Sequence, residues 1–132
     1  MITVAEYFGH KPHTPEHEAA ATELLNRVEK LCATVAWDFP LDPDTGTSIS
    51  GSRGGAGDGG FRLPTATTGA AMSSHKEAKA VDVVDPDNEL DNLITDALLT
   101  AYELYREAPK STLGWCHLTT RAPKSGRRTF PP

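Results

Sequence analysis

No stretch of this chain stays apolar for anything near the roughly 20 residues that a bilayer helix needs, so nothing in it predicts membrane insertion. Cysteine is scarce: Cys32 and Cys116 allow at most one bridge. The start, Met1-Ile2-Thr3-Val4-Ala5-Glu6-Tyr7, lacks the basic residues and apolar run of a secretory signal. The expectation is therefore a chain that is cytoplasmic as synthesised, with two free thiols. An excess of positive charge is missing too. A net charge of -5 and a pI near 5.5 argue against a nucleic-acid partner, whose phosphates reward clustered Lys and Arg. The one locally basic segment is the tail with Arg121, Lys124, Arg127 and Arg128. The glycine-rich stretch from Gly51 to Gly60 is not followed by Gly-Lys-Ser/Thr, which excludes a phosphate-binding P-loop. Ser50, Ser52, Ser73 and Ser74 lack a nucleophile elbow, and neither cysteine has polar neighbours that would activate a thiolate.

What is present describes an ordinary globular domain. The 132 residues, 38% hydrophobic and 23% charged, suit one core, so residues 1–132 are expected to form a single domain. Thr14-Pro15-Glu16 combines a capping hydroxyl, a proline at the first helical position and an early acid. Leu24, Leu25, Val28, Leu31, Cys32 and Val35 then recur on one helical face. The segment 38–47 is turn chemistry, 47–50 reads as a short strand, and 63–74 reads as loop. Ala80-Val81-Asp82-Val83-Val84 is a β-branched run of strand length. A second helix is expected from Leu90 through Leu93, Ile94, Ala97, Leu98, Ala101 and Leu104 to Tyr105, stopped by Pro109. Gly114–Thr119 reads as a last strand before a basic, proline-rich tail. This order predicts an α+β fold, a small and largely antiparallel sheet flanked by helices.

The chemistry concentrates in two places. His75 at a loop end is followed seven positions later by Asp82, a carboxylate flanked by Val81 and Val83 in a strand that should be buried. An ionised carboxylate there needs a compensating cation or it must protonate. His117 is likewise a polar ring set among Trp115, Cys116 and Leu118. Two imidazoles and a carboxylate with one open position form the ligand set of a catalytic zinc. Taken singly, each has a plainer reading: His117 as a satisfied strand histidine, Asp82 as a turn cap or a partner of Arg53. Cys116 should face away from any metal that His117 faces, because side chains alternate along a strand. His10, His13 and His17 read most simply as exposed residues of a loop and a first helical turn.

These residues resemble a known family. Ser73, His75, Ala80 and Asp82 stand as in the SxHxxGxAxD signature of the zinc D-alanyl-D-alanine carboxypeptidases, whose relatives include phage endolysins that cut between L-Ala and D-Glu. Ser50-Gly51-Ser52-Arg53 is similar to the family's upstream SGxR, and Trp115-Cys116-His117 to its closing WxH. The three motifs occur in order over residues 50 to 117, about half the chain. The resemblance implies a hedgehog-like DD-peptidase fold and Zn2+ held by His75, Asp82 and His117. It implies Arg53 as the catalytic guanidinium facing the substrate carbonyl or carboxylate. It gives Ser73 the task of orienting a metal ligand or the substrate and makes Trp115 a substrate-side residue, whose plainer reading is packing, and the peptide of bacterial peptidoglycan is the implied partner. It further suggests a monomer that acts in the periplasm or cell wall of a host once released. Two positions depart from the pattern: the signature glycine is Ala78, and the places of the family's acid, five and three residues before the last His, hold Thr112 and Gly114. Glu77, Asp85 and Asp58 are the nearest acids in sequence.

Two alternatives belong beside this expectation. The missing acid suits a non-catalytic zinc-binding domain that binds wall or builds a virion. The run Ser52-Arg53-Gly54-Gly55 to Gly60-Phe61-Arg62 is an RGG-like copy, but a single one in an acidic protein.

Overall fold

Both N-terminal helices begin on threonine caps. The computed structural model of the protein describes residues 1–51, 59–66 and 73–131. Helix α1 (Val4–Phe8) starts at Thr3, whose hydroxyl accepts from Glu6 N–H while the Glu6 carboxylate accepts from Thr3 N–H, a reciprocal capping box. Helix α2 (Pro15–Thr34) starts at Thr14 as its sequence predicts, with His17 in the place of the acid in the same box. Its face of Ala21, Leu24, Leu25, Val28, Leu31 and Cys32 is buried.

Strand β1 (Ala80–Val84) is followed by two short helices, α3 (Glu89–Leu93) and α4 (Asp96–Ala101), then β2 (Tyr105–Glu107), a 3-10 turn (Pro109–Ser111), β3 (Trp115–Thr119) and β4 (Thr129–Phe130). The sheet order is β1-β3-β2-β4. β3 pairs antiparallel with both β1 and β2, while β2 and β4 run parallel. Among the described residues the architecture is thus α+β around a small mixed sheet of four strands. Residues 48–50 line the free edge of β1 through one bridge, Ile49 to Val83, with Ser50 N–H donating to Asp82 O and Val84 N–H to Ser48 O.

The long second helix expected from the sequence is broken, and local hydrogen bonding explains the break. Ile94 is extended, and the Thr95 hydroxyl caps a new helix by accepting from Leu98 N–H at 3.2 Å. A buried carboxylate, Asp85, docks the first piece by accepting from Leu90 and Asp91 N–H. After α4, Glu103 takes a positive φ of 53°, and Leu104 N–H closes back on Leu99 O. Tyr105 therefore enters a strand. Leu93, expected on the buried face, is 48% exposed. The helical period of the sequence is met by two separate pieces, in which Leu90 and Leu99 are buried. The tail also carries structure that turn-rich composition concealed: Arg106 N–H donates to Arg128 O and Ala108 N–H to Phe130 O, which adds β4 to the sheet.

Alternation splits the sheet into two chemistries. Val81, Val83, Cys116 and Leu118 join the face of α2 in one core with Leu90, Leu99 and Leu104. Asp82 and His117 point to the other side. The loop leading into β1 is held close to α1: Phe61 N–H donates to Tyr7 O, and the Tyr7 hydroxyl donates to Ala80 O at 2.7 Å. Gly60 belongs there because a Cβ would stand 2.6 Å from Tyr7 O.

Ala78 lies in the turn before β1, fully buried, with φ 58°. That left-handed conformation costs an L-residue with a Cβ roughly 1–2 kcal/mol, and it is the position where the signature has glycine. Ala78→Val, with a branched Cβ in the same place, should lower stability by at least about 2 kcal/mol. Ala78→Gly should stay within about 1 kcal/mol of the parent, because relief of strain offsets the lost methyl burial. Urea unfolding of the three proteins checks the order; equal midpoints for Val and Ala would contradict the turn geometry.

Candidate metal centre

The register of β1 and β3 sets Asp82 directly opposite His117. His75 reaches the same point from the turn at residues 74–78. The Ser73 hydroxyl accepts from His75 N–H at 3.2 Å and so fixes the start of that turn. Nδ1–H of His75 donates to Gly60 O at 2.9 Å, since a carbonyl can only accept. This leaves Nε2 as the free lone pair, and it faces Asp82 Oδ1 at 3.5 Å. A backbone carbonyl holding the far nitrogen is the usual outer support of a ligating histidine. His117 Nδ1 lies 2.8 Å from the same Asp82 oxygen, and the two imidazole centroids are 5.2 Å apart.

One donor atom from each of His75, Asp82 and His117 falls within 4.8 Å of the other two. Among the described residues, these three form the group that can hold a metal ion. His75 and Asp82 are buried, and the His117 side chain, at 12% exposure, is the most open of the three. Solvent therefore reaches the group from the His117 side.

The electrostatics agree with a cation site. Burial alone, the largest single effect, would raise the Asp82 pKa. The neighbouring His75 and His117 outweigh it, by charge and by hydrogen bonding, and hold the carboxyl well below the usual carboxylate range. Arg62 adds a further positive group, its guanidinium 3.8 Å from Asp82 Oδ2 and itself almost wholly buried. Arg62 was not singled out from the sequence as a site residue. Its only signal there is a charge placed directly after Gly60 and the apolar Phe61.

The other expected residues fall as follows. Arg53 and Asp58 lie outside the described residues. Trp115 is half-buried and shares a strand face with His117 by alternation. Cys116 faces the opposite way, fully buried beside Asp91, and burial pushes its thiol pKa well up. Cys32, also buried, is pushed up to about 12, so both thiols stay protonated and free. Glu77 is committed to Arg121 and Lys79. Asp85 spends both oxygens on the N–H groups of α3. Thr112 is buried, its hydroxyl within 3.4 Å of Pro109 O. His10 and His13 are exposed as expected, the His13 ring stacked on Phe8 at 3.7 Å, while His17 is half-buried with its ring 4.8 Å from that of Phe61.

Comparison with protein-family models, with curated proteins and with solved structures found no match to this chain.

The sign of one pH effect follows from Asp82. Its native pKa is lowered, so below about pH 4 the unfolded chain binds more protons than the native one, and stability falls as pH falls through that window. In metal-free protein, Asp82→Asn should flatten this acid slope of the unfolding free energy. An unchanged slope between about pH 4 and 2 would mean that Asp82 is not held ionised.

Proposed function

We propose that this protein is a zinc-dependent peptidase that hydrolyses the peptide of bacterial peptidoglycan, a carboxypeptidase or endopeptidase of the D-alanyl-D-alanine carboxypeptidase and L-alanyl-D-glutamate endopeptidase kind with a hedgehog-like DD-peptidase fold. The observation that carries this reading is the meeting of His75, Asp82 and His117 on one sheet face, from two motifs 35 residues apart in the order the family has them. The donor set itself fits zinc: two neutral imidazoles and one carboxylate leave a tetrahedral position open. Zinc, when bound, lowers the pKa of a water toward roughly 7 and polarises a carbonyl.

The chain's own residues do the rest. Gly60 O orients the His75 ring, Ser73 fixes its backbone, and Arg62 steadies the second Asp82 oxygen. Trp115, half-buried on the same face, offers a wall against which a peptide can lie. Arg53 is assigned to the substrate carbonyl, where a guanidinium stabilises developing negative charge. Release by a phage lysis system, action on the wall as a monomer, and synthesis in the cytoplasm belong to the same proposal. A non-catalytic wall-binding or virion domain is the second reading, favoured by Thr112 and Gly114 in the places of the acid.

Digestion of purified cell wall separates the two. Zinc-loaded protein should release free amine and carboxylate, and His75→Ala should reduce the rate at least about 100-fold, in line with loss of an element on which the whole reaction depends. Zinc-loaded protein that binds wall and releases neither product would establish the second reading instead.

A further inference from the structure

The sheet register brings a glutamate opposite one of the three donor residues, from a strand that the motif does not include. β2 and β3 pair as Tyr105 with Thr119 and Arg106 with Leu118. One more step along that antiparallel register brings Glu107 beside His117. β1 sets Asp82 on the other side of His117, and β4 sets Phe130 beside Glu107. Asp82, His117, Glu107 and Phe130 thus form one row across all four strands.

Two contacts fix which way this row faces. Arg106, the residue before Glu107, turns to the core side, where its guanidinium donates to Asp91 O at 2.7 Å near Cys116. Alternation then sends Glu107 to the side of His117. The His117 and Phe130 rings meet edge to face at 6.2 Å, which confirms that the row's flanking members share that side. Side chains directly opposite on neighbouring strands have Cβ atoms about 4.5–5.5 Å apart, within reach of a glutamate carboxylate. Glu107 is half-buried, and among the described residues no ion pair or hydrogen bond engages its carboxylate. It also stands on the side of His117, the most open of the three donors. Glu77 and Asp85, by contrast, are spent elsewhere.

We infer that Glu107 is the proton-transferring carboxylate of the site, supplied from β2 in place of an acid at Thr112 or Gly114. This rests on the peptidase reading. The Glu107 carboxylate takes one proton from the attacking water as the water oxygen bonds to the scissile carbonyl carbon. The C–N bond then breaks, its electron pair goes to nitrogen, and Glu107 delivers the proton there. Delivery of that proton leaves Glu107 ionised again, and the new carboxylic acid releases its own remaining proton to solvent.

The test compares wild type, Glu107→Gln and Glu107→Asp as full chains, using wall digestion, zinc affinity by chelator competition, and thermal unfolding. A positioned base contributes about 100-fold to 10,000-fold. Glu107→Gln should therefore lose at least about 100-fold in kcat with KM within about threefold, and hold zinc within about threefold of wild type. Glu107→Asp should recover part of the rate. Loss of about tenfold or more in zinc affinity would overturn the inference by making Glu107 a positioning partner of His117. So would a Glu107→Gln protein that keeps more than about a third of wild-type kcat while wild type is active. A zinc-loaded wild type that cleaves nothing overturns the peptidase reading itself, and the inference with it.

Discussion

An ionised carboxylate buried against a β-sheet needs positive charge around it, and Asp82 is the residue on which the architecture of this protein turns. Its strand is buried along its whole length, so water cannot compensate the charge. His75 and His117 approach one oxygen, and Arg62 approaches the other. Each of these partners arrives by a different route: a turn, a paired strand and the loop that follows Gly59 and Gly60. The register of β1 with β3, the positive φ of Ala78 and the close approach of Gly60 to Tyr7 all serve that convergence. A cation held by the three donors would supply the rest of the charge that the buried carboxylate calls for.

The two faces of the sheet divide structure from chemistry. On the core side, buried carboxylates are structural: Asp85 holds the start of α3, and Asp91 accepts from Asn88 and meets Arg106. Burial raises the Asp91 pKa, with Asn88, Cys116 and Arg106 acting against it. On the other side, Asp82 and His117 leave donor atoms directed at one point. A strand slip of one residue would exchange the two sets, which is why the extended β1–β3 pairing matters more to the site than any single side chain.

Much of this was legible in the sequence, and the parts that were not share a cause. Thr14-Pro15 announced α2, the β-branched run announced β1, and Cys116 was placed away from the centre by alternation alone. Asp82 and His117 were legible because polar residues in apolar runs demand an explanation, and His75 through its spacing to Asp82. The break at Ile94-Thr95 was hidden because Thr95 reads as an ordinary helical residue until its hydroxyl is seen to cap Leu98. That misreading carried Tyr105 into a helix and so concealed β2, and with it the neighbour relation of Glu107 to His117. β4 was concealed by a tail of turn residues whose two strand positions pair only through β2. Long-range register, unlike a cap or a period, is not written locally.

The most direct test of the metal centre is X-ray absorption at the zinc edge on protein loaded with one equivalent of zinc, beside Asp82→Ala. The predicted spectrum has only nitrogen and oxygen neighbours at roughly 2.0–2.2 Å, with the outer-shell signature of two imidazoles, and Asp82→Ala loses an oxygen or fails to retain the metal. A sulfur neighbour at roughly 2.3 Å, or the same spectrum from Asp82→Ala, would contradict a centre built from His75, Asp82 and His117.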